Sequence, residues 1–187
     1  DRSPSRGLGD VYKRQIMEGF SMKKSNRKGF TLVELVVVIA IIGILAAILV
    51  PTMMNYVKKS KLKTANSNAK LVFTTVNNEA ADMLVNGETV SSTDGQTAAV
   101  NIKTNLGALT GTTTKDKLGK AVYNALKDNG DGAGYCVYAI GTSGNVEYAQ
   151  WSDVSDPTKG VLGQYPDPCK DADKANKAFG SKITNWG

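Results

Sequence analysis

Gly29-Phe30-Thr31-Leu32-Val33-Glu34-Leu35, followed without interruption by Val36 to Val50, is the stretch that decides the fold. Leu35 to Val50 (LVVVIAIIGILAAILV) has no polar side chain, and no charged residue stands between Glu34 and Lys58. Its Val and Ile content would suit a buried strand, but the run is too long for one. As a helix from Phe30 to Tyr56 it extends roughly 40 Å, enough to cross a hydrocarbon core of about 30 Å with some tilt. The composition therefore predicts a membrane-spanning helix.

One carboxylate, Glu34, interrupts the apolar segment. An acidic side chain within a membrane helix is costly and marks function by default. Glu34 also lies only one turn inside, from where it could simply reach the headgroups. The flanking residues bear on the choice. Lys23-Lys24-Ser25-Asn26-Arg27-Lys28 precedes Gly29, and basic residues hold the near end of a span in the cytoplasm. On the far side Lys58, Lys59, Lys61 and Lys63 weaken that asymmetry. A secretory signal peptide would need a shorter apolar core and a small-residue cleavage site, which Ala46-Ala47-Ile48-Leu49-Val50-Pro51 does not supply.

The combination of a basic leader from Met22, KGFTLVEL and the apolar helix resembles the processing site of type IV prepilins and their relatives, over about Lys23 to Pro51. The resemblance implies cleavage after Gly29 by a prepilin peptidase on the cytoplasmic face, and methylation of the new amino terminus at Phe30. It also assigns the family's buried glutamate to Glu34. Cleavage creates an alpha-amine that is largely cationic near neutral pH. A pairing of Glu34 with the Phe30 amine of an adjacent subunit is the resulting hypothesis. Gly43 and Pro51 weaken a helix; in the resembled family matching positions bracket a segment that loses helical order in the filament, though both residues are also common in ordinary membrane helices.

Taken in order, residues 1–21 show no periodicity and read as an upstream segment, non-native or disordered, followed by the basic leader 22–29. Residues 30–51 form the transmembrane and assembly half of the first helix. Residues 52–187 hold its amphipathic half and a globular head. Leu62, Ala65, Ala69, Val72, Val76, Ala80 and Met83 recur at spacings of three and four, one helical face. Asn86-Gly87 is a left-handed stop signal. Glu88 to Thr114 reads as a connecting loop with weak strand or turn content. Lys115 to Lys127, with Leu118, Val122, Ala125 and Leu126 in helical spacing, predicts a short second helix. Asp128-Asn129-Gly130-Asp131-Gly132 is turn chemistry, with glycines where calcium ligands would be needed. Tyr135 to Ile140 and Asn145 to Trp151, joined by Gly141 to Gly144, predict a hairpin. The remaining chain is polar, with three prolines, and predicts irregular structure plus one short strand. The fold class expected is α+β, a long amino-terminal helix packed on a small antiparallel sheet, pilin-like.

Cys136 and Cys169 lie in the part expected outside, where disulfides persist. Many type IV pilins close a carboxyl-terminal loop with a disulfide, and the resemblance extends that expectation to this pair; two unpaired thiols are the alternative. Net charge separates function classes. The chain carries +6, but Asp1 to Gly29 holds eight Lys/Arg against three Asp/Glu, leaving fifteen against fourteen beyond Gly29. That near balance offers no footprint for specific nucleic-acid binding, and the lysines after the span read as a solvated helix face. Histidine is absent, which removes His-dependent triads and His-containing zinc motifs. No cofactor, metal site or enzymatic activity is expected.

The functional expectation is a structural subunit, inserted in the cytoplasmic membrane as a single-pass precursor with its amino terminus inside. After trimming, an assembly platform would polymerise it with other pilin subunits into a homo-oligomeric extracellular filament for adhesion or motility. The alternatives are a pseudopilin of a type II secretion or DNA-uptake apparatus and, in a different class, a single-span anchored binding module.

Overall fold

The backbone of α1, Leu32–Val85, runs through Pro51 without a break. The computed structural model describes residues 29–129 and 133–187; the upstream segment, the leader from Met22 to Lys28, and Gly130 to Gly132 of the expected turn lie outside them. The chain divides into two units, 1–46 and 47–187.

In the first unit the described residues are Gly29 to Ala46. Thr31 is the N-cap and Glu34 the third helical residue. Thr31 N–H and Thr31 Oγ1 both donate to Glu34 Oε2 at 2.8 Å, and Glu34 N–H donates back to Thr31 Oγ1 at 3.2 Å. This reciprocal capping box satisfies donors that a helix start leaves orphaned. Every large apolar side chain here is exposed, Phe30 to 89%.

The second unit is built on the rest of α1. Beyond Val57 the helix becomes one-sided, and all seven residues of the expected stripe are buried, together with Asn68. The helix ends where Asn86-Gly87 predicts. Gly87 takes φ +80°, Gly87 N–H donates to Leu84 O (3.1 Å) and Glu88 N–H to Met83 O (2.9 Å). Those are the two bonds of a Schellman cap, and the left-handed conformation favours glycine.

Against the stripe lies a four-stranded antiparallel sheet in the order β1 (Gln96–Asn101), β2 (Tyr135–Ile140), β3 (Val146–Ser152) and β4 (Gly163–Tyr165). The expected hairpin is β2–β3, with Cys136 opposite Trp151 and Tyr138 opposite Ala149. A helix α2, Thr114–Leu126, is capped by Thr113, whose hydroxyl accepts from Asp116 N–H. It buries Leu118, Val122 and Leu126, while Ala125 faces out. The α+β class is thus as expected, and the long helix carries a small sheet.

Two features fill in the expectation. The loop with weak strand or turn content contains β1, which pairs with β2 through a bulge between Gln96 and Val100, and a short π-helical turn over Ile102–Leu106. A strand with an interrupted register leaves little alternation in the sequence to detect. The second feature is the sheet's far face. Here the irregular carboxyl-terminal tail lies over β3 and β4, and Tyr148, Gln150, Ser152 and Gln164 are all buried. Gln150 and Gln164 hold the tail with side-chain amides. Gly180 N–H donates to Gln150 Oε1 (3.0 Å), and Gln150 Nε2 donates to Ser181 O (3.0 Å). Ile183 N–H donates to Gln164 Oε1 (2.9 Å), and Gln164 Nε2 returns a bond to Ile183 O (2.7 Å). That last pair copies the two-bond exchange between facing residues of an antiparallel ladder.

Gly163 is where β4 meets α1. A Cβ there would stand 2.1 Å from the carbonyl carbon and oxygen of Ala65, so only glycine allows the strand to seat this close. Trp151 fills the space beside it, fully buried, its indole N–H donating to Ala133 O at 3.0 Å.

Candidate assembly site

The residues singled out from the sequence fall in two places. Gly29, Phe30, Glu34 and Gly43 belong to the first unit, and all are exposed. The Glu34 carboxylate meets only its own turn through Thr31; among the described residues it has no cationic partner. Nothing lies within 4 Å of a Cβ built on Gly29 or Gly43. From Phe30 to Val57 the large apolar side chains range from 47% to 89% exposed. A soluble monomer does not leave an apolar surface of that extent in water. Among the described residues, α1 is the helix long and apolar enough to cross a membrane.

Pro51 lies in the second unit, within α1. A proline there removes one i→i−4 bond. The next residue turns inward instead: Thr52 Oγ1 donates to Leu49 O at 2.8 Å and to Ile48 O at 3.4 Å. The helix stays intact through Gly43 and Pro51 in this state.

Cys136 and Cys169, the pair for which a bridge is expected, are both buried, and their sulfurs are not joined in this structure. Cys136 sits on β2, whereas Cys169 follows β4, with its carbonyl accepting from Asn66 Nδ2 at 2.8 Å. β3 stands between those strands. Burial pushes the Cys136 thiol up to about 12, and raises Cys169 as well. Neither is poised as a thiolate. The tail is held by the side chains of Gln150 and Gln164, which nothing in the sequence flagged: their role depends on which residues arrive opposite them.

No group of three or more metal-ligating side chains occurs among the described residues.

Comparison with known proteins agrees with the amino-terminal geometry. The family model described as "Prokaryotic N-terminal methylation motif" matches residues 24–50. The type IV major fimbrial protein FimA of Dichelobacter nodosus is 54% identical over 44 residues, 24% of this chain and 28% of that protein. The chain thus spans little more than a quarter of the length of such relatives. Two others match across the head as well. A fimbrial protein of Pseudomonas aeruginosa is 36% identical over 117 residues, covering 63% of this chain and 70% of its own. The type IV major alpha-pilin of Moraxella bovis is 35% identical over 128 residues, 66% and 75% respectively. No solved structure matches. A capped apolar helix with no partner, a one-sided continuation under a four-stranded sheet, and likeness extending over most of two such relatives lead to one conclusion: this chain belongs to the type IV pilin family, a family of structural subunits and not of enzymes.

Proposed function

We propose that the chain is a pilus subunit, made as a membrane-inserted precursor, cut after Gly29 by a prepilin peptidase, methylated at Phe30, and polymerised through α1 into an extracellular filament used in adhesion or motility. The observation that carries this reading is the unpartnered apolar surface from Phe30 to Val57. Lipid can cover that surface before assembly, and identical helices can cover it afterwards. Between helices in lipid the driving force is close van der Waals packing and not water exclusion, because lipid tails are as apolar as leucine. An even, uncharged surface of Val, Ile and Leu can serve in both settings.

Glu34 then sets the axial register. Among the described residues its carboxylate has hydrogen bonds but no counter-charge. The Phe30 amine released by cleavage on a neighbouring subunit supplies one, and two poorly solvated charges favour the stagger at which they meet. Gly43 through Pro51, helical here, is the segment where helical order is lost on packing, since Pro51 already lacks one ladder bond. An assembly platform in the membrane is the further partner this reading requires.

The test is amino-terminal mass analysis of sheared surface filaments, combined with electron microscopy of a strain deleted for the gene. A filament protein beginning at methylated Phe30, and filaments lost on deletion, is the expected result. Intact, uncut chain retained in the membrane of cells that contain the peptidase would overturn it.

A further inference from the structure

We propose that Lys59, Lys63 and Lys170 form a binding site for the phosphate of an anionic phospholipid headgroup, which holds the base of the head to the membrane surface before assembly. The inference rests on the membrane-inserted precursor described above. Lys59 and Lys63 are one turn apart on α1, and Lys170 reaches them from the loop after β4. The three line one groove of about 530 Å³ together with the side chains of Tyr56, Ser60 and Asn66. Among the described residues, none of the three forms an ion pair. Their neighbours differ: Lys58 pairs with Asp173 and Lys61 with Asp153, each at 3.2 Å. Asp171 and Asp173 line an adjoining cleft that shares Lys59. There Asp173 is taken by Lys58, and the Asp171 carboxylate accepts from Asp173 N–H at 3.1 Å. The groove's own lining has three lysines, two hydroxyl donors and no carboxylate, while Asp171 keeps its charge in the cleft next to it.

Its level along the helix fits a headgroup. From Leu35 to Val57 the chain has twenty-three uncharged residues, about 35 Å of helix against a hydrocarbon core of about 30 Å. Lys59 follows about 3 Å beyond Val57, within the polar layer of about 5–7 Å that each leaflet adds, and Lys63 follows about 9 Å beyond it, from where a side chain tilted towards the helix amino terminus reaches back into that layer. Tyr56, 74% exposed, sits at the boundary where amphipathic rings collect. Lysines on the outer side of a span are disfavoured by the orientation bias, so a ligand of opposite charge gives them a use. Lys170 arrives only through the fold, which separates a built groove from a merely basic helix.

The experiment labels lysines with an amine-reactive reagent and reads each position by mass spectrometry. The full chain is reconstituted in vesicles of pure phosphatidylcholine or of phosphatidylcholine with one third phosphatidylglycerol. Labelling of Lys59, Lys63 and Lys170 is expected to slow about fivefold in the anionic vesicles. Lys58, Lys61 and Lys103 should change little, and Lys170→Gln should return Lys59 and Lys63 towards their rates in neutral vesicles. Soluble glycerophosphate added to neutral vesicles should not protect. Equal labelling in both vesicles, protection spread evenly over all lysines, or protection by glycerophosphate alone would each overturn the lipid site. So would protection that appears only in filaments, which would assign the groove to a second copy. Carbonate-resistant insertion is scored in parallel: a chain that inserts without showing the preference sinks this proposal alone, and one that fails to insert sinks the membrane reading with it.

Discussion

Gln150 Nε2 donates to Gln164 Oε1 at 3.0 Å, and both side chains are fully buried between the sheet and the carboxyl-terminal tail. Together they satisfy backbone groups at Gly180, Ser181 and Ile183, as well as Pro166 O and Asp167 O. A tail with few apolar residues is thereby tied down by side-chain amides. If these bonds alone hold it, reduction leaves the head's unfolding midpoint unchanged; a midpoint that falls on reduction would assign part of the hold to a Cys136–Cys169 bridge.

Gln164→Leu keeps much of the volume and removes the bonds made by the Gln164 side chain, while those of Gln150 to Gly180 and Ser181 remain. It leaves Ile183 N–H and several carbonyls without partners, at about 1–3 kcal/mol for each that stays buried. The expected outcome is a loss of about 3 kcal/mol in denaturant unfolding, with fast amide exchange appearing first at Ile183.

Gly163→Ala and Gly43→Ala should act in opposite directions. At Gly163 the new methyl would lie 2.1 Å from Ala65 backbone atoms, which cannot swing aside as a side chain can. Overpacking of that kind costs about 3 kcal/mol or more, because β4 must leave the helix. At Gly43 nothing lies within 4 Å, and a mid-helix Gly→Ala change stabilises by about 0.5–1 kcal/mol. Thermal melts followed by circular dichroism in one detergent compare the two.

Glu34→Gln separates two roles of one side chain. The amide oxygen can still accept from Thr31, so the helix start survives, whereas the charge is gone. If Glu34 sets register against a neighbour's amine, the variant inserts with normal helicity and fails to yield filaments. Filaments at the level of the unsubstituted protein would confine Glu34 to the capping box.

The buried thiol predicts an alkaline limit. Cys136 has its proton affinity raised from 9.0 to about 12 by desolvation, and Tyr138 shifts in the same direction for the same leading reason. The folded state thus holds the Cys136 proton more tightly than the unfolded chain. Stability from this source is complete below pH 9.0 and is lost as pH climbs towards about 12. The slope for one such proton is about 1.4 kcal/mol per pH unit. Unfolding measured from pH 8 upwards should show that decline, and Cys136→Ala should make it shallower by the share of one proton, leaving the part due to Tyr138. In the folded protein Cys136 should also resist alkylation that modifies it readily in denaturant.

What the sequence by itself determined is the part written in local, repeating terms. The uncharged run with Glu34 at its head, the stripe from Leu62 to Met83, the Asn86-Gly87 stop and the β2–β3 hairpin each rest on neighbours a few residues apart, and each stands as expected. Only the tertiary structure decided how the polar second half closes. Why residue 163 must be glycine, that β1 joins the sheet, and that two glutamines grip the tail all depend on which strand lies between which others. Those contacts link residues tens of positions apart through segments without periodicity, and a side-chain amide that serves as a ladder partner carries the same letter as one dissolved in water.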